Sequence, residues 1–142
     1  MADRLFVYGT LLPATDTPMA RWLAPRLGSG RAASISGRLA AIPARGGYYP
    51  ALLPAPDHRR VIGMVFDAAL SPDDWRTLDI YEGREYRRDT AWVSGPGGHR
   101  RAFCYRWVGA LPPAARSIGG GDFGAWLSRR RLAAFGAVRH EI

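Results

Sequence analysis

Hydrophobic and polar positions change period several times along the chain, and each change marks an element. Leu5-Phe6-Val7-Tyr8 is a short apolar run of strand formers, stopped at Gly9. Glycine permits backbone angles denied to other residues and lets a ligand approach the main chain. A strand that ends in Gly9-Thr10-Leu11 inside an apolar stretch leaves backbone N–H groups without ladder partners. Buried N–H groups rarely stay unpaired, so these are candidates to hold a carboxylate or carbonyl oxygen as a small nest. The same residues also read as a core strand followed by an ordinary turn.

Thr17-Pro18 then offers a capping hydroxyl and a proline at the first helical position. Met19, Trp22, Leu23 and Leu27 recur at spacings of three and four, one apolar helical face that Gly28 and Gly30 end. Residues 31–42 read as a strand of small residues broken at Gly37, followed by a loop over residues 43–47. Tyr48 to Leu53 is extended, and Pro50 makes it an edge or an irregular segment, since proline cannot donate to a ladder. Val61 to Ala68 is the clearest strand, apolar or small on both faces, with Gly63 marking a bend or close backbone approach.

Ser71-Pro72-Asp73-Asp74 is the strongest helix start, with two acids at the positive end of the dipole. That helix should run to Tyr81 or Glu82 and stop at Gly83. Tyr86 to Val93 and Arg101 to Val108 pair as a hairpin through residues 94–98, and Asp122 caps a last helix reaching about Phe135. Strands outnumber helices and most joins are short. The pattern predicts an α+β fold whose sheet is curled and largely antiparallel.

The 142 residues fit a single domain, 1–142, with 47% hydrophobic residues to build its core. No apolar run approaches a membrane span, and Met1 to Leu5 is too short an apolar stretch for a secretory signal, so a cytoplasmic protein is expected. The net charge of +8 is made by 20 arginines spread from Arg4 to Arg139, with no lysine at all. Charge so scattered attracts anions weakly and defines no groove, so neither nucleic acid nor membrane is the expected partner. Cys104 is the only cysteine, and His58, His99 and His140 lack ligand spacing, so no metal or cofactor is expected.

Glu82 is the unusual residue. Trp75, Leu78, Asp79 and Glu82 share one helical face, and the first two must point into the core. Glu85 follows the helix stop, facing solvent, and Glu141 lies beside the C-terminus. Burial and the negative end of the helix dipole would both raise the pKa of Glu82, which suits general acid–base work. A structural pairing of Glu82 with Arg87 or Arg88 would lower it instead. Both readings stand on the helix geometry alone.

Phe6-Val7-Tyr8-Gly9-Thr10-Leu11 together with Leu78-Asp79-Ile80-Tyr81-Glu82-Gly83, followed by Tyr86-Arg87-Arg88, resembles the gamma-glutamylcyclotransferase-like family, including its AIG2-like and gamma-glutamylamine cyclotransferase branches. The likeness runs over about the first 108 residues, through Tyr49-Pro50-Ala51-Leu52 and Val65-Phe66. It implies a small mixed, largely antiparallel β-barrel with flanking helices. It also implies cleavage of a γ-glutamyl amide by the substrate's own α-amine, releasing 5-oxoproline and a free amine. On that likeness Glu82 is the catalytic acid/base, and Tyr8, Gly9, Thr10, Leu11 and Tyr86 bind a small γ-glutamyl substrate. The Tyr86 hydroxyl would orient Glu82 or the substrate, or else belong to the core. A non-catalytic AIG2-like ligand-binding domain would carry the same residues.

Overall fold

The computed structural model describes residues 3–12, 15–56 and 58–135, so Glu141 and His140 lie outside the described residues. The described elements run β1 (Asp3–Val7), α1 (Pro18–Leu23), β2 (Leu27–Ser36), β3 (Arg38–Ala44), β4 (Gly47–Leu53) and β5 (Arg60–Ala68). They continue with α2 (Pro72–Glu82), β6 (Tyr86–Gly95), β7 (Gly98–Trp107), β8 (Arg116–Ile118) and α3 (Phe123–Arg130). Five strands close a barrel in the order β1-β5-β2-β6-β7, and β4-β3-β8 form a second sheet. The barrel pairs are antiparallel except at its closing seam, where β1 meets β7 in parallel with the single register pair Leu5–Phe103. The fold is thus the expected α+β, mixed barrel with flanking helices.

The apolar run of β1 follows from its burial on both faces. Phe6 and Tyr8 belong to the core cluster shared with Ile35, Val61, Val93 and Cys104, which extends through Leu39 and Leu52 to Trp126 of α3. Leu5 and Val7, on the alternate face, pack with Leu23 of α1 and with Trp75 and Leu78 of α2. β1 is therefore clamped between the barrel core and two helices. Gly63 allows β5 to lie against it: a Cβ there would stand 2.3 Å from the Val7 carbonyl oxygen.

α2 keeps the boundaries its sequence implies. The Ser71 hydroxyl accepts from the Asp74 N–H at 3.1 Å, and the Asp74 carboxylate accepts from the Ser71 N–H at 3.0 Å, a complete capping box. Gly83 stops the helix at φ 80°, where its N–H reaches the Asp79 carbonyl at 3.1 Å.

Three expectations need correction, and one strand is additional. α1 ends at Leu23 and passes through a 3-10 turn at Ala24–Arg26, because Pro25 cannot extend an α-helix; Leu27 and Gly28 already belong to β2. β5 is buried on both faces only toward its end: Phe66 and Ala68 are buried, but Ile62 on the same face is 43% exposed. α3 stops at Arg130, and Arg131 takes a left-handed conformation at φ 54°. β8 has no counterpart in the hydrophobic pattern; it exists through its pairing with β3. Among the described residues, no helix is long and apolar enough to cross a membrane.

Candidate active site

The site opens where β1 leaves the barrel. β1 and β7 pair only at Leu5, so beyond it the two strands are free to part. A small cavity open to solvent lies there, lined by Phe6 to Leu11, Pro50, Glu82, Tyr86 and Tyr105. All six residues singled out in the sequence, Tyr8, Gly9, Thr10, Leu11, Glu82 and Tyr86, are thereby brought to one cavity.

The loop half is held from several directions. The Thr10 carbonyl accepts from the Thr17 hydroxyl at 2.6 Å, and the single proton of the Thr15 hydroxyl is shared between the Leu12 carbonyl at 2.6 Å and the Thr10 carbonyl at 3.0 Å. In a trans peptide the C=O and the following N–H point opposite ways, so these bonds turn the Leu11 N–H away from the threonines. The N–H groups of Gly9, Thr10 and Leu11 find no backbone acceptor among the described residues. Thr17 also caps α1, accepting from the Ala20 N–H at 3.1 Å, so one buried hydroxyl fixes both loop and helix. Gly9 is needed for space, not for unusual angles. It is not among the glycines with positive φ, yet a Cβ on it would lie 2.2 Å from Cγ of Pro50.

The helix half brings Glu82. Burial first, and then the negative charge of Asp79, raise its carboxyl pKa to about 8. The pairing with Arg87 or Arg88 is not made: Arg88 turns to Asp79 instead, at 3.5 Å, while stacking on Trp75 at 4.4 Å. Asp79 also accepts from the Tyr105 hydroxyl at 2.7 Å. One turn of α2 thus carries two carboxyls, one satisfied by Tyr105 and Arg88, the other left without an arginine among the described residues.

Three tyrosines complete the wall. The Tyr8 hydroxyl donates to the Tyr105 carbonyl, and the Tyr86 hydroxyl donates to the Pro50 carbonyl at 2.5 Å. The Tyr86 hydroxyl thus gives its proton to β4, which leaves its oxygen as an acceptor. Burial pushes all three phenols far above their usual range, so they stay protonated donors. Tyr105, Pro50, Thr15 and the Thr17–Thr10 bond escaped the sequence reading. Asp79 on an inward helical face was the one available hint, since it required a partner from another element. Cys104 is buried in the barrel, its thiol pushed up to about 11 by burial, and it is no nucleophile. Among the described residues no three His, Cys, Asp or Glu side chains gather to hold a metal ion.

Comparison with known proteins bears on the family and the fold. The family model described as gamma-glutamyl cyclotransferase, AIG2-like, matches residues 5–126. No curated protein matches the chain. Among solved structures, YkqA from Bacillus subtilis superposes with a TM-score of 0.70 at 23% identity, over 92% of this chain and 43% of that one. The chain therefore spans less than half of the Bacillus protein's length. An AIG2-like protein from Mus musculus gives 0.61 at 20% identity, over 78% and 80%. Allophanate hydrolase from Kluyveromyces lactis gives 0.68 at 16%, over 92% of this chain but 22% of the hydrolase. At these identities the likenesses show the fold alone, and the hydrolase shows that this barrel also occurs within an enzyme of another name.

Proposed function

The chain belongs to the gamma-glutamyl cyclotransferase, AIG2-like family, and from that premise we propose that it cleaves γ-glutamyl amides to 5-oxoproline with Glu82 as general acid/base. The observation that carries this reading is a single cavity lined by both the Tyr8–Leu11 loop and Glu82.

In the reaction the substrate's α-nitrogen attacks its own γ-carbonyl carbon. The new C–N bond closes a five-membered lactam, and the old C–N bond to the leaving amine breaks. Overall the α-ammonium gives up two protons to become the lactam N–H, and the leaving nitrogen gains two and departs as an ammonium. No water enters. Both protons travel between the same two nitrogens, so one carboxyl placed between them relays them in turn. A carboxyl with a pKa of about 8 exists in both forms near neutrality, and an α-ammonium beside it favours the ionised form that accepts first.

The N–H groups of Gly9, Thr10 and Leu11 would hold the oxygens of the glutamyl half. Fixing these oxygens brings the α-nitrogen toward the γ-carbonyl, a proximity effect. A donor facing the carbonyl oxygen also stabilises the charge that develops on it.

Glu82→Gln keeps the shape and removes the relay. Release of 5-oxoproline should fall by about two orders of magnitude or more, and activity surviving that change excludes Glu82 from the role. A wild-type chain that releases 5-oxoproline from no γ-glutamyl amide is a ligand-binding domain instead.

A further inference from the structure

Glu82 also lines a second cavity, roomier than the first and likewise open to solvent. Thr10 and Tyr86 are likewise common to both, so the two spaces adjoin around the carboxyl. The second space is walled mainly by rings: Tyr49, Tyr81, Trp107 and Phe135 join Tyr86 there. Tyr49 is the hub, its ring centroid 6.1 Å from Trp107, 6.1 Å from Phe135 and 6.4 Å from Tyr86. The interplanar angles of 39°, 68° and 57° make a concave, tilted wall instead of a closed stack.

Phe135 is the informative member. It is 40% exposed although large and apolar, and it lies outside residues 5–126 that the family model covers. Two backbone bonds hold it in place: the Tyr48 N–H reaches the Ala133 carbonyl at 3.0 Å, and the Phe135 N–H reaches the Tyr48 carbonyl at 2.6 Å. The segment after α3 is thus tied to β4 so that a ring faces Tyr49.

On the cyclotransferase reading, Glu82 hands a proton to the leaving nitrogen, so that nitrogen must sit at the carboxyl. Whatever it carries must then extend into the adjoining space. A short alkyl group would leave the ring wall bare. A distal cation would need a fixed negative partner, but Glu85 there is exposed and shares the wall with Arg84 of opposite sign. Tilted rings around an apolar hollow pair best with another ring, edge to face or offset. Resting on that reading, we infer that the second cavity is the leaving-group chamber and that it selects γ-glutamyl amides whose amine carries an aromatic ring.

The test is steady-state release of 5-oxoproline from γ-glutamyl-benzylamide, γ-glutamyl-ethylamide and Nε-(γ-glutamyl)lysine, with wild type, Phe135→Ala and Tyr49→Leu. The expected kcat/KM for the benzylamide exceeds each of the others by about tenfold or more, and both variants bring the ratio of benzylamide to ethylamide down toward unity. Two substrates compared on one preparation make that ratio independent of how much of a variant has folded. Wild-type turnover of the ethylamide or the lysine compound as fast as the benzylamide overturns the chamber and leaves the cyclotransferase reading standing. So does a preference that survives both substitutions. Release from none of the three overturns the cyclotransferase reading and the chamber with it.

Discussion

Glu82 reaches the cavity from a helix that specifies itself, whereas the Gly9 loop reaches it through residues brought from elsewhere. The cap, the proline, the spacing and the stop of α2 all lie within Ser71 to Gly83. The loop relies on Pro50 against Gly9, on Thr15 and Thr17 at the Thr10 carbonyl, and on the Tyr8 bond to Tyr105. A side chain that moves protons needs a rigid element and the correct face. Backbone donors need outside clamps, because a loop has no ladder of its own to resist reorientation. The two halves should therefore fail differently when disturbed.

Beyond loss of the Glu82 carboxyl itself, the largest effect is expected at the loop. Gly9→Ala drives a Cβ into the Pro50 ring and displaces the donors, and misplacement on the order of 1 Å costs roughly 100-fold in rate. The double variant Gly9→Ala/Pro50→Ala restores part of the 5-oxoproline release; no recovery would mean that Pro50 is not the obstacle. The next concerns the helix half and is thermodynamic. Burial holds the Glu82 pKa at about 8 in the folded chain, against 4.5 for a freely solvated carboxyl. Its contribution to stability is complete below about pH 4.5 and is lost as pH rises through about 8, a change on the order of a few kcal/mol. Urea unfolding across that window should show the loss in the wild type and a flatter profile in Glu82→Gln.

Smaller effects separate the halves further. Thr17→Val removes a cap and a loop clamp together, so a stability loss of about 1–2 kcal/mol should come with a raised KM. Ser71→Ala removes only a cap: about 1 kcal/mol is lost by thermal unfolding, and kcat/KM stays as it was. Asp79→Asn deletes the charge that helps raise Glu82, so the ascending limb of the pH profile of kcat/KM should move to lower pH. An unmoved limb would mean that burial alone sets that pKa.

The same division governs what could be read from the residues alone. Everything local to α2 was legible: Ser71-Pro72, the inward face of Trp75 and Leu78, and the Gly83 stop follow from rules spanning a few residues. The Gly9 loop was legible as a place but not as a construction. Its glycine looked like a conformational device and proved to be a contact with Pro50, 41 positions on. β8 carries only Arg116, Ser117 and Ile118, too short for alternation to register, and is defined by β3 across the sheet. The ring wall around Tyr49 joins residues from β4, β6 and β7 and the segment after α3, which no period connects.

The seam between β1 and β7 bears on how the chain matures on the ribosome. β1 and the adjoining Tyr8 emerge before β7, but the Tyr8 hydroxyl waits for a carbonyl 97 positions later. Until β7 has left the exit tunnel the barrel stays an open sheet, and β1 has an apolar edge without its neighbour. Folding that depends on so distant a pairing is slow, and its intermediates are prone to associate. Ribosome-bound chains arrested before Phe103 should therefore remain protease-sensitive at β1, and protection should arrive abruptly once Trp107 is clear of the tunnel.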